Sequence, residues 1–159
     1  MEEPSSNSIS NELRKFIALR VNGLEFCVDI NNVREIRGWT PATPLPRAPS
    51  YVRGVINLRG KVLLIIDLAA RLGLAPMEPT GTSVITVIDT KEQPVGLLVE
   101  AVSDILAVSD SDIQPTPNVG SVAAGQFVRG VLNYEGRMIS LIAIDEVLGT
   151  SDVPHTVAA

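Results

Sequence analysis

The chain has 159 residues, 13 Lys+Arg against 18 Asp+Glu, one His and one Cys, and a net charge of −5. That length fits one ordinary domain or two very small units sharing a core, and the acidic balance argues against broad phosphate-backbone binding. Cys27, standing alone, excludes an internal disulfide and a multi-cysteine metal site.

The opening MEEPSSNSIS is acidic and polar, unlike a signal or transit peptide, so the reading is cytoplasmic, with a mobile tail over residues 1–12. Residues 16–21, the pair Asn22-Gly23 and residues 24–30 read as a hairpin, because Asn-Gly supplies the positive φ angles of a tight primed turn. Val33-Arg34-Glu35-Ile36 follows, then a loop with Pro41, Pro44, Pro46 and Pro49, where proline prevents continued strand pairing. Residues 51–61 read as a second hairpin with a turn near Asn57-Leu58-Arg59-Gly60, and 62–66 as its return strand. That return strand is also the longest unbroken aliphatic run, far too short to span a bilayer. Asp67 then reads as a helix N-cap and Gly73 as the stop, with a linker over 75–82. The order then repeats. Residues 84–88 and 95–99 form a hairpin about 89–94, followed by Val102-Ser103-Asp104-Ile105 and a loop with Pro115 and Pro117. A strand over 138–144, an N-cap at Asp145 and a stop at Gly149 complete the second copy, and 150–159 reads as a mobile tail.

The repeat can be read letter by letter. Tyr51-Val52-Arg53-Gly54-Val55-Ile56-Asn57 answers Phe127-Val128-Arg129-Gly130-Val131-Leu132-Asn133 at an offset of 76, and Val33 to Ile36 answers Val102 to Ile105 at 69. Two units, about 14–75 and 82–149, therefore make up one domain over 13–149. The 19 Val and 14 Ile lean towards strands. Short strands at close spacing predict an all-β fold of two small intertwined barrels packed on a shared core, since one such unit alone buries too little surface.

Chemistry is hard to find. Gly54 and Gly60-Lys61 have the wrong spacing for a phosphate loop, and Val62 stands where Ser or Thr is needed. Asp110-Ser111-Asp112 has Pro115 where a calcium loop needs glycine, so it reads as a capped turn. His155 lies in the tail, and Cys27 sits mid-strand as a buried inert thiol. No catalytic residue, metal or cofactor is expected.

The passages Val33-Arg34-Glu35-Ile36-Arg37-Gly38, Leu45-Pro46, Gly54-Val55-Ile56-Asn57-Leu58-Arg59-Gly60, Ile66-Asp67-Leu68 and Val102-Ser103-Asp104-Ile105 resemble the CheW-like family of bacterial chemotaxis coupling proteins. The resemblance covers roughly residues 14–149, with Leu64 where the family often has proline. It implies a pair of five-stranded, SH3-like β-barrels and no enzymatic activity. It also implies an adaptor that couples the cytoplasmic tips of chemoreceptors to the regulatory domain of a CheA-type histidine kinase. Receptor contacts then fall near Val33, Glu35 and Arg59, with Gly54, Val102 and Ile105 also matching coupling positions and Val84 and Ile85 near the groove. On composition alone the valines and Ile105 are core candidates and Gly54 is a backbone glycine repeated as Gly130, while Trp39, in a loop rich in Pro and Thr, reads either as an anchor for a partner or as packing over a barrel end. Arg53 and Asn57 recur as Arg129 and Asn133 and read as architectural. Arg59 is answered by Glu135, which assigns Arg59 a task outside its own barrel and a possible pairing with Glu35. The competing readings are a β-barrel module for a ligand or nucleic acid, and a similar adaptor of a non-flagellar pathway such as twitching motility.

Overall fold

The computed structural model describes residues 13–90, 92–115 and 126–149. The expected tails at 1–12 and 150–159, with His155, and the loop position Pro117 lie outside the described residues.

The fold is all-β, as expected, and eleven strands and two short α-helices lie wholly within the described residues. Strands β1 (Arg14–Val21) and β2 (Leu24–Asp29) form the first hairpin, and both turn residues take positive φ, 56° at Asn22 and 77° at Gly23. Next come β3 (Val33–Gly38), β4 (Val52–Leu58) and β5 (Lys61–Asp67), then the helix Leu68–Arg71. The second copy runs β6 (Val84–Ile88), β7 (Val95–Val99), β8 (Ala101–Val108), β9 (Ile113–Gln114), β10 (Val128–Tyr134) and β11 (Arg137–Ile142), then the helix Ile144–Leu148.

The two copies exchange their first hairpins. One sheet has the order β8-β1-β2-β11-β10-β9 and the other β3-β6-β7-β5-β4. The early hairpin β1–β2 thus completes the late sheet, through a parallel pairing of Phe26 and Cys27 with Ser140 and Leu141. Hairpin β6–β7 completes the early sheet, with Leu64 opposite Val95 in the same parallel sense. The ladders run as a six-stranded and a five-stranded sheet. The extra strand is β9, which resumes the path of β8 after a tight turn over Asp110–Asp112. In the other sheet the corresponding crossing is a single bridge, where Thr43 and Val55 exchange backbone bonds of 2.8 and 2.9 Å.

Strand β1 shows why one unit cannot stand alone. Its odd positions, Ile17, Leu19 and Val21, enter a large core between the sheets; its even positions, Phe16 and Ala18, enter a smaller core with Cys27, Leu106, Leu132 and Ile139. A strand buried on both faces needs cover from two sheets.

Three sequence readings need correction. Asp67 does cap its helix, accepting from the Ala70 N–H at 3.2 Å, but the second helix is capped at Ala143, and Asp145 lies in its first turn. The true counterpart of Asp67 is Ala143, because the bonds from Asp67 N to Tyr51 O and from Ala143 N to Phe127 O are equivalent at the offset of 76. The strand expected over 138–144 ends at Ile142 for the same reason: the chain turns into the helix two residues earlier than the Ile-Asp letters suggest. The second hairpin's turn is also tighter than Asn-x-x-Gly implies. It is the two-residue pair Arg59-Gly60, with φ of 51° and 84°, mirrored by Glu135-Gly136 at 50° and 80°. The Asn57 side chain supports this turn by accepting from the Gly60 N–H at 2.8 Å.

Candidate functional site

Arg59 enters from the β4–β5 turn and Glu35 from β3, and the Arg59 guanidinium donates a short hydrogen bond to the Glu35 carboxylate. The expected pairing is therefore present. Arg37 adds a second cation, with Nη1 3.6 Å from Glu35 Oε1. The bond from Arg59, ahead of any opposing cost of burial, holds the Glu35 carboxyl below its ordinary range, and Glu35 in turn raises Arg59. The Arg59 side chain remains 64% exposed and Glu35 25%, so the pair can be reached from outside.

The second copy qualifies the argument from asymmetry. Asp104, the counterpart of Glu35, meets Arg137 at 3.4 Å, and Arg137 also binds Glu25 in a two-pronged fashion. Arg137 is the repeat partner of Lys61, so the cation missing at Glu135 reappears two residues later. An acid on β3 or β8 tied to a cation of the neighbouring hairpin is thus common to both sheets. What distinguishes Arg59 is exposure: Arg137 is 34% exposed and held by two carboxylates.

The remaining candidates separate by burial. Val33 and Val84 are half-buried at opposite ends of the β3–β6 ladder, where Val33 faces Ile88 and Gly38 faces Val84. Both pack against the large core, as does half-buried Val102 on β8 of the other sheet. Ile105, also on β8, is 57% exposed and opposite Ile17, so it is available for contact. Two candidates are corrected. Ile85 is fully buried and packs inside the large core, so it shapes the surface and cannot touch a partner. Gly54 is buried at a β-bulge with φ of +135°, and a Cβ there would lie 2.1 Å from the Thr43 carbonyl oxygen. Gly130 repeats that close approach, 2.7 Å from the Gln114 oxygen, which makes both glycines backbone requirements.

Sequence reasoning missed three surface residues. Ile36, Val62 and Met138 are 44%, 47% and 60% exposed, unusual for large apolar side chains in strands. Ile36 corresponds to Ile105 at 69, and Val62 to Met138 at 76, so each sheet carries the same two exposed apolar positions. The offsets were the available signal; without the pleat direction, apolar letters in strands read as core.

Among the described residues no cluster of His, Cys, Asp and Glu could hold a metal ion. The Asp110–Asp112 turn is closed on itself, with the Asp112 carboxylate accepting from both the N–H and the hydroxyl of Ser109. Cys27 is fully buried, and burial pushes its thiol up to about 12, which keeps it protonated and inert. Among the described residues no helix is long and apolar enough to cross a membrane.

The described residues form a doubled all-β body that carries exposed ion pairs and exposed apolar side chains, the surface of a candidate scaffold. Residues 15–152 match the family model for the CheW-like domain. The chain is 57% identical over 148 residues to the chemotaxis protein CheW of Rhizobium meliloti (strain 1021), covering 93% of this chain and 96% of that one. It is 32% identical to the protein FrzA of Myxococcus xanthus, covering 87% of each. Its fold superposes on the scaffolding protein TtCheW of Thermoanaerobacter tengcongensis with a TM-score of 0.79 at 28% identity, over 86% of this chain and 93% of that one. The chain belongs to the CheW-like domain family, a family of non-catalytic chemotaxis scaffolds.

Proposed function

We propose that this chain is a cytoplasmic adaptor that couples the cytoplasmic tips of chemoreceptors to the regulatory domain of a CheA-type histidine kinase within membrane-associated arrays. The observation that carries this reading is the accessible Glu35–Arg59 pair at β3 of the early sheet, with half-buried Val33 on the same strand. Exposed, such a pair adds only about 0.2–1 kcal/mol to folding. When a partner removes its water, truncating one member costs about 2–5 kcal/mol of binding. Arg59→Ala should therefore leave thermal unfolding nearly unchanged and weaken binding to a purified receptor cytoplasmic fragment by roughly thirtyfold or more. Glu135→Ala, at the equivalent turn of the second copy, should change neither. If Arg59→Ala retains wild-type binding to both receptor fragment and kinase, Arg59 is a solvated turn residue and this surface is not the coupling site.

A further inference from the structure

Among the described residues two buried side-chain atoms have no hydrogen-bond partner, Arg37 Nε on β3 and Thr86 Oγ1 on the neighbouring β6. The arginine is the more telling, because a half-buried guanidinium ordinarily gives its donors to nearby oxygens. The other half-buried arginines do so. Arg53 donates to the Met77 carbonyl, Arg71 to the Val147 and Glu146 carbonyls, and Arg137 to Glu25 and Asp104. For Arg37 the nearest acid is Glu35, at 3.6 Å, beyond a normal hydrogen bond, and that carboxylate is already held by the short bond from Arg59. The fold does not ask for an arginine there either. Arg37 lies opposite Ile85 in the β3–β6 ladder, and at the offset of 69 these become Leu106 opposite Phe16 in the β8–β1 ladder. Leu106 is fully buried in the smaller core. One copy of the unit thus fills the position with a leucine, and the other with a cation short of acceptors, which costs folding free energy.

We infer that Arg37 is a partner-binding residue of the coupling surface, and that the group it takes, together with Arg59, is a carboxylate of the receptor tip; this rests on the reading of that surface given above. The local charge supports the choice of an acid. Arg37 and Arg59 share the one carboxylate of Glu35, while Arg34 on the same strand is matched by Asp89 at 2.7 Å. In a chain of net charge −5 this leaves a cationic surplus at one place on the surface. An incoming carboxylate neutralises it and accepts from a planar guanidinium through two parallel bonds. The Arg37 side chain is 34% exposed, enough to be reached. Nε itself is covered, so meeting it requires that one side chain to turn outward, the kind of rotamer change common at interfaces.

Binding of the full chain to a purified receptor cytoplasmic fragment tests the proposal, with thermal unfolding measured alongside. Arg37→Leu installs the residue of the second copy. It should hold or raise the melting temperature and weaken receptor binding by about tenfold or more. Arg37→Lys, which keeps the charge without the planar fork, should recover only part of that loss. Arg37→Glu should bind worst, and changing the acids of the receptor tip to lysine one at a time should restore its binding at one position. Wild-type binding by Arg37→Leu while Arg59→Ala is impaired overturns the assignment of Arg37 and leaves the coupling surface standing; wild-type binding by both removes the surface as well. A melting temperature that falls by several degrees in both Arg37→Leu and Arg37→Lys means that the arginine serves the fold. Absence of any restoring lysine means that the partner group is not a carboxylate. Either result overturns the proposal.

Discussion

Arg59 occupies the first position of a primed turn, a left-handed backbone site that favours Asn or Gly, and the β1–β2 hairpin indeed uses Asn22-Gly23. A long non-glycine side chain there costs about 1–2 kcal/mol. Its exposed ion pair returns about 0.2–1 kcal/mol. Arg59→Asn should therefore hold or raise the melting temperature while reducing receptor binding, and a fall of several degrees would show that the pair holds the fold. Glu35 supplies a pH readout. Its carboxyl is lowered in the folded chain, first by the Arg59 hydrogen bond, so any stability from the pair is complete above the unfolded value of about 4.3 and disappears as pH falls through the lower folded value. The Glu35 carboxyl resonance should thus titrate below about 4.3. Its midpoint should move up in Arg59→Ala but fall short of the free value, since Arg37 stays 3.6 Å away. At this scale the sequence showed that Glu35 and Arg59 belong together, because opposite charges on repeat passages are visible as letters. Burial of Ile85 and exposure of Ile36, Val62 and Met138 were hidden, because strand residues of one chemical type face either way.

Among the elements, the two short helices meet at Arg71. Its Nε donates to the Val147 carbonyl at 2.7 Å and its Nη2 to the Glu146 carbonyl at 3.2 Å, capping the last turn of the helix Ile144–Leu148. The guanidinium also lies 4.4 Å from the Tyr51 ring centre and 4.8 Å from that of Phe127, which are repeat counterparts. One side chain therefore ties the first helix to the second and sits against both aromatic positions. Charged hydrogen bonds contribute about 1.5–3 kcal/mol and cation–π contacts about 0.5–2. Arg71→Ala should then cost roughly 2–4 kcal/mol in urea unfolding. Arg71→Lys should recover little of this, because an ammonium cannot serve two carbonyls and stack on a ring at once. A loss below about 0.5 kcal/mol would show an ordinary surface arginine. Arg71 escaped the sequence reading because its repeat counterpart is Val147, so the comparison of copies offered no pattern there. The hairpins and helix stops were legible because turn chemistry is local, as at Asn22-Gly23, Gly73 and Gly149. β9 was not, since two residues paired only through β10 leave no periodic trace.

At the scale of the molecule, the exchanged hairpins decide how the chain folds and comes apart. The repeat made two related units visible, but letters cannot say which hairpin completes which sheet. That depends on pairings such as Cys27 with Leu141, more than a hundred residues apart in sequence. The consequence is that neither unit has its own sheet. Removing the second half would strip β1 and β2 of both neighbours, β8 and β11, and take from Phe16, Ala18 and Cys27 every other buried member of their core, Leu106, Val108, Leu132, Ile139 and Leu141. It would also remove β6 and β7, which complete the early sheet. A chain opened in the linker, after Thr80, should therefore remain one body, because the break severs no strand pairing. The separated pieces, residues 1–80 and 81–159, should each lack cooperative thermal unfolding and regain it when mixed in equal amounts. Circular dichroism with size exclusion measures both outcomes. A cooperative transition in either piece alone would mean that a single copy closes its own sheet, and that the exchange is not what holds the fold together.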